Sequence, residues 1–423
     1  MKKIMRISGL LSIFICATWQ RNKDVPVPET QWKQFDEAVN WADMSYLKSV
    51  EGVYVITNGT NDFGKIAAAK TSYTIEGADT IYHVSIFCEK DASYLVLQGK
   101  ITDGVLLLKG YWRNMHGEET GTVHLKRVIN SGTVPSDSLE NNAIPHHLIT
   151  GYWGDNNEEP SKKIELKFLR PLYNKTSFEI LAHRGGGRNT DFVPSSENSV
   201  ELIKKAARFG ATGVEIDVQL TKDGVPILYH DARINGRLTK ETGIHSKITS
   251  NTYNELLNEI TLTKDEKIPT VEQALKAIVH ETSLEFVWLD CKDKTALAKL
   301  RNIQKKFTDE AASIGRGVNI MIGIHGKDAM KALQELPEHK DIPTICELDP
   351  EDVIELNSRV WAPMWIKRGS KKDVKTMQEK GKKVFIWTVD KASRVKQYVT
   401  ESGYDGVLSN YPSVVAFYHY IRQ

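Results

Sequence analysis

Cysteine is scarce, with four in 423 residues: Cys16, Cys88, Cys291 and Cys346. Their spacing forms neither a disulfide framework nor a metal-binding cluster, so the simpler reading is small buried hydrophobes. Net charge is nearly absent too. Lys and Arg number 56 against 54 Asp and Glu, a formal balance of +2. No basic run is interleaved with aromatics, which argues against nucleic acid as a partner. Beyond the first twenty residues no apolar run is long enough to cross a bilayer.

What the chain does have begins at its N-terminus. Lys2, Lys3 and Arg6 precede an apolar stretch over residues 7–19 that is too short to span a bilayer comfortably. It predicts an export signal over residues 1–20, and hence a periplasmic, cell-envelope or secreted protein. The alternatives are an uncleaved anchor and a lipid on Cys16. The second is disfavoured by Ile15, which stands where a small residue is expected.

After an extended Val25-Pro26-Val27-Pro28 linker, the spacing of Trp32, Phe35, Val39 and Trp41 predicts a helix across 32–47. The pattern then changes to short β-branched and aromatic runs at 52–57, 66–75, 80–89, 94–100, 104–112, 121–128, 148–153 and 162–169. Turn residues such as Asn58-Gly59 and Thr102-Asp103-Gly104 separate them. Residues 29–170 are therefore expected to form an all-β antiparallel accessory domain, a barrel or a sandwich, with a polar surface loop at 133–147. Gly110-Tyr111-Trp112 is echoed by Gly151-Tyr152-Trp153. Aromatics at strand ends would suit a glycan or a lipid surface. Packing under a barrel rim explains them as well and is the preferred reading.

From residue 177 the pattern alternates strand with helix. Candidate strands lie at 178–182, 213–217, 285–292, 318–324, 342–347, 359–362, 383–387 and 406–408, with helical stretches between them. Eight such units over 177–423 predict an α/β TIM barrel. Residues 225–229 also look like a strand but follow 218–220 too closely for a parallel crossover. Thr221-Lys222-Asp223-Gly224 should then be a hairpin turn, whose arm carries His230 back toward the strand tops.

Glu215 and Asp217 lie two apart on a strand and share a face, while Val214, Ile216 and Val218 share the other. Helices cover the outside of a TIM barrel, so the acids are expected to point inward. Paired there, they are costly without a cation, and carboxylate oxygens suit Ca²⁺ or Mg²⁺. Asp290 and Lys292 repeat the spacing, as third metal acid and phosphate clamp, or as a simple ion pair. His183 and Arg184 precede Gly185-Gly186-Gly187. Arg184 is expected to grip a phosphate with two hydrogen bonds, and the glycines to let backbone N–H groups approach it. His183 and His230 would be the acid–base pair. Metal, cations and two imidazoles together suit attack on a phosphodiester.

These motifs, in this order, resemble the glycerophosphodiester phosphodiesterases: His183-Arg184-Gly185, Glu197-Asn198-Ser199, Glu215-Ile216-Asp217, Thr221-Lys222-Asp223-Gly224 and His230-Asp231. Ile268-Pro269-Thr270, Trp387-Thr388-Val389 and Asp405-Gly406-Val407 carry the likeness to the C-terminus. The resemblance implies a TIM barrel that uses a divalent cation to release an alcohol and sn-glycerol 3-phosphate from a small glycerophosphodiester. It implies His183 and His230 as the catalytic pair and Glu215, Asp217 and Asp290 as metal ligands. Arg184 and Lys292 fall on the phosphate, and Trp387 in the pocket. Three departures stand out. The third acid, usually a glutamate, is Asp290; the usual Trp-Thr-Val-Asn ends in Asp390; the usual Thr-Asp-Tyr-Pro reads Ser409-Asn410-Tyr411-Pro412. If Asp390 faces the pocket, it would disfavour a strongly anionic head group. Alternatives are a lysophospholipase D-like or sugar–glycerophosphate phosphodiesterase, and a binding protein without turnover. The likeness does not extend to residues 29–170.

Overall fold

The computed structural model describes residues 26–116, 118–128, 148–367 and 369–423. The expected export signal, Cys16 and the loop at 133–147 lie outside them. Among the described residues no helix is long and apolar enough to cross a membrane.

The N-terminal strands are β1 (Asn40–Trp41), β2 (Gly52–Asn58), β3 (Ile66–Glu76), β4 (Asp79–Cys88), β5 (Tyr94–Thr102), β6 (Val105–Arg113), β7 (Thr120–Val128), β8 (Leu148–Trp153) and β9 (Lys162–Arg170). From β2 to β9 each strand pairs antiparallel with its neighbour in sequence, and β9 returns to β2, closing a ring of eight. Closure removes every edge but that of β1, which pairs with β5. Alternate side chains point inward and form one buried cluster. At one end Trp112 and Trp153 meet edge to face, 5.4 Å between centroids, with Phe63 against both. Both tryptophans of the Gly-Tyr-Trp echo are thus core residues, and neither offers a face to a sugar or lipid. Their glycines are packing residues as well. A Cβ at Gly110 would lie 2.0 Å from the Val96 carbonyl oxygen, and one at Gly151 2.0 Å from that of His124.

The helix expected across 32–47 is two short helices, Lys33–Glu37 and Met44–Lys48, with β1 between them. Asp43 is the reason. Its carboxylate accepts from the backbone N–H groups of Ser45 and Tyr46, starting a new helix where the pattern seemed continuous. Trp41 is consequently 59% exposed.

The C-terminal strands are β10 (Glu179–Ala182), β11 (Gly213–Leu220), β12 (Pro226–Leu228), β13 (Phe286–Cys291), β14 (Asn319–Ile324), β15 (Thr344–Cys346), β16 (Val360–Trp361), β17 (Lys383–Ile386) and β18 (Gly406–Ser409). All but β12 are parallel, and β10 pairs with both β11 and β18, so eight strands close a barrel. Leu181, Phe286, Trp288, Met321, Phe385 and Leu408 help to fill its interior. Val214, Ile216 and Val218 pack outward in the large helix-covered core. β12 runs antiparallel to β11, Val218 opposite Leu228, as the short connection demanded. The segment after it packs a small core of its own around Tyr229, Ile234, Leu238 and Ile248. That core steadies the chain on either side of His230.

The two barrels touch. Phe87 and Ala68 of the first belong to the helix-covered core of the second, and the Phe87 ring stacks on Tyr420 at 6.4 Å. Ser85 Oγ donates to the Arg208 carbonyl oxygen at 2.7 Å. Cys88, Cys291 and Cys346 are free and buried.

Candidate active site

Parallel pairing places Asp217 of β11 opposite Asp290 of β13. With Glu215, one oxygen from each lies within 4.8 Å of the others, and among the described residues this is the one acidic or imidazole group so arranged. Glu215 and Asp217 are buried. Glu215 Oε1 and Asp290 Oδ1 are enclosed without a hydrogen-bond donor. Burial, then repulsion from Asp217 and Asp290, raises the Glu215 carboxyl well above the usual carboxylate range. Burial acts on Asp217 in the same direction, but Lys292, His230 and Arg184 outweigh it and bring that carboxyl below the usual range. Orphaned buried oxygens on hard carboxylate donors fit a divalent cation.

Lys292 lies at these acids, its ammonium bonded to Asp290 and 2.9 Å from Asp217 Oδ1. Burial opposes its charge, but the three acids together raise its pKa. A cavity of about 380 Å³ opens beside it, lined by Lys294, His325 and Lys327. Glu347, at the end of β15, was not foreseen; burial and then Asp290 push its carboxyl up to about 8.

His183 follows β10. Its Nδ1 is 2.7 Å from Asn410 Oδ1, and its Nε2 faces Glu215 Oε2 at 3.8 Å. Burial, then the Arg184 guanidinium, lowers this imidazole to about 4. Arg184 and Asn198 have left-handed backbone, φ 53° and 62°. Such a conformation persists only where the surroundings over-determine it. Here the Arg184 amide donates to Glu215 Oε2 at 2.9 Å, and its carbonyl accepts from the Asn198 amide at 2.9 Å. Its guanidinium is held by Glu197 at 2.7 Å, with Asp217 at 3.9 Å.

Two of the three glycines do not offer their amides to an anion as expected. The amides of Gly186 and Gly187 both donate to the His183 carbonyl oxygen. A Cβ at Gly185 would meet Ile203 at 2.9 Å, and one at Gly186 would meet Leu202 at 2.6 Å. Their smallness lets the helix Val200–Lys205 approach the strand top.

His230 is brought in by β12, with Nδ1 2.6 Å from Asp231 Oδ1. Arg237 binds Asp231 at 2.6 Å and reaches Glu197 at 3.0 Å, joining the His230 side of the site to the Arg184 side. Asn198 holds Asp217 twice, donating to Oδ2 at 2.7 Å and accepting from its amide at 3.0 Å. Glu197, Asn198 and Ser199 read as a helix start, yet only Ser199 caps the helix. The other two hold site residues. Trp387 is half-buried against the barrel's central cluster, its indole N–H donating to the Ala362 carbonyl oxygen at 2.7 Å. Asp390 does not reach for a ligand; its carboxylate is occupied by Ser409 and by the amide and side chain of Asn410. Of the residues expected in the site, Glu215 and Asp217 lie within β11 and Asp290 near the end of β13, while His183, Arg184, Lys292 and Trp387 follow β10, β13 and β17 and His230 follows the returning arm β12.

The family model for the glycerophosphoryl diester phosphodiesterase family matches residues 183–414. Glycerophosphodiester phosphodiesterase 1 of Mus musculus is 33% identical over 155 residues, 35% of this chain and 43% of the mouse protein. The match thus spans less than half of that relative's length. Glycerophosphodiester phosphodiesterase of Caldanaerobacter subterraneus is 24% identical over 249 residues, 56% of this chain and 95% of its own length. A solved glycerophosphodiester phosphodiesterase from Parabacteroides distasonis is 25% identical with a TM-score of 0.46, covering 57% of this chain and 96% of that one.

Proposed function

The chain belongs to the glycerophosphoryl diester phosphodiesterase family, and on that premise we propose that it hydrolyses small glycerophosphodiesters to an alcohol and sn-glycerol 3-phosphate with the help of a divalent cation. The observation that carries this reading is the meeting of Glu215, Asp217 and Asp290 at one point, two of them with an orphaned buried oxygen. Two anchored histidines accompany them: His183 faces Glu215 at 3.8 Å, and His230 acts electrostatically on Asp217. Those three acids would hold Ca²⁺ or Mg²⁺. Bound there, the cation would neutralise the diester and polarise its phosphoryl oxygen. Arg184 and Lys292 supply further positive charge against the phosphate, and Trp387 a flat apolar wall for the alcohol. His183 and His230 exchange the protons that attack and departure require. Residues 177–423 form the catalytic unit and 29–170 an accessory one, exported under the direction of residues 1–20.

The test is release of glycerol 3-phosphate from glycerophosphocholine, glycerophosphoethanolamine and glycerophosphoinositol, run metal-free and then with Ca²⁺ or Mg²⁺. Release only with metal is expected. A folded sample that releases none under any condition overturns the reading.

A further inference from the structure

We propose that Asp390 and Asn410 are a positioning pair that fixes the tautomer of His183, making it the base of the reaction and leaving His230 as the acid. The inference rests on the phosphodiesterase reading and deepens it.

Every bond in the chain of contacts has one permissible direction. The Asp390 carboxylate can only accept. It takes the Asn410 amide at 2.9 Å, the Asn410 side-chain Nδ2 at 2.7 Å and Ser409 Oγ at 3.2 Å. The Asn410 side chain therefore turns its nitrogen to Asp390 and its oxygen to His183, 2.7 Å from Nδ1. An amide oxygen only accepts, so Nδ1 carries the hydrogen. In the neutral ring Nε2 is then a lone pair, and it faces the acid cluster, 3.8 Å from Glu215 Oε2. Without Asp390 the amide would be free to turn over and offer Nδ2 to the ring, which would hold the opposite tautomer and put a hydrogen where the lone pair is needed.

His230 is held differently. Its Nδ1 meets a carboxylate, Asp231, at 2.6 Å. A carboxylate stabilises an imidazolium where an amide oxygen does so far less, so the two imidazoles are unequal partners. The proton balance follows. A proton leaves the attacking water for Nε2 of His183 as the new O–P bond forms. The P–O bond to the alcohol breaks, its electron pair stays on the departing oxygen, and that oxygen takes the proton from His230. The resemblance pairs an asparagine at 390 with an aspartate at 410. This chain carries the same two groups exchanged, so one extra atom group lies between the charge and the ring.

The experiment compares the full chain with Asp390→Asn and with the double exchange Asp390→Asn/Asn410→Asp. Substrates are glycerophosphocholine and a p-nitrophenyl glycerophosphate, whose leaving group needs no proton. Asp390→Asn should lower kcat about 10- to 100-fold on both, with KM within about twofold, as loss of an outer partner of a site residue does. The double exchange should recover most of that loss. His183→Ala should lose activity on both substrates, and His230→Ala chiefly on glycerophosphocholine. Nitrogen-15 shifts of His183 should report a proton on Nδ1 in the parent and on Nε2 in Asp390→Asn. An Asp390→Asn protein with parental kcat, a double exchange no faster than the single, or an unchanged tautomer would overturn the pairing. A parent that turns over no diester fails the wider reading, and the tautomer measurement still judges the pairing by itself.

Discussion

Glu215, Asp217 and Asp290 cannot all be charged at such short range without a positive partner. Lys292 supplies one, bonded to Asp290 and close to Asp217, while Glu215 is left with its carboxyl raised. Two consequences can be measured. Saturating Ca²⁺ or Mg²⁺ should raise the melting temperature, since a ligand at about 100 times its Kd stabilises by about 2.7 kcal/mol. Glu215→Gln should abolish that rise and cut kcat/KM by at least about 100-fold, as loss of preorganised charge stabilisation does. Lys292→Met separates two roles that the geometry entangles. Without the ammonium the acids repel one another more, so calorimetry should show tighter cation binding while kcat falls. Weaker binding in that variant would mean that Lys292 organises the acids rather than competing for them. The acids and histidines were legible in the sequence because a period of two assigns side chains to faces and each histidine follows a strand. Glu197, Asn198, Arg237, Glu347 and Asn410 were not marked as site residues. Each acts across a loop or between strands, at a sequence separation that no periodicity marks. The glycines were misread for a related reason, since their role lies in what packs against them.

The hairpin of β11 and β12 shows how much a length argument can carry. Too few residues separate the two for a crossover, so the arm had to turn back and deliver His230. The eight parallel strands, down to the two-residue β16, were also legible, because apolar runs bounded by helical stretches leave few alternatives. The early helix failed because helical spacing recurs by chance over so short a stretch, and one capping aspartate outweighs it. The accessory barrel makes its own prediction. At Gly151 the conflict of any Cβ is with the His124 backbone oxygen, which no rotamer change can relieve. Gly151→Val should therefore destabilise by at least the ~1–3 kcal/mol typical of overpacking, read as a fall in the denaturant midpoint. Activity at low temperature should persist, since β8 touches no site residue. An unchanged midpoint would show that the two strands can part at that point.

At the scale of the whole molecule, the junction between the barrels contains a buried imidazole with one unpartnered nitrogen. His83 on β4 is 2% exposed, and its Nδ1 has no partner. Its Nε2 is 3.4 Å from Thr74 Oγ1, which also accepts from Arg208 at 3.1 Å. Glu76 Oε1 lies 3.7 Å from that same guanidinium nitrogen, Nη2. Burial, and then Arg208, lowers His83 to about 3. The unfolded chain gains a proton there as pH falls through about 6.5, whereas the folded chain refuses it until about pH 3. Stability from this group is therefore complete above pH 6.5 and declines as the pH drops toward 3. The limiting slope is about 1.4 kcal/mol per pH unit. Between pH 6.5 and 5 the loss should approach ~2 kcal/mol. His124 and His419 are lowered as well, to about 4 and about 3, so the parent's total slope will be steeper than one group gives. The difference between parent and variant isolates His83. Urea unfolding of the parent and of His83→Gln at pH 7.5, 6.5, 5.5 and 5.0 should give curves that converge as the pH falls, because glutamine takes up no proton in either state. Parallel curves would mean that the junction opens enough in the folded protein for water to reach the ring, and that the two barrels are less tightly joined than Phe87 and Tyr420 imply.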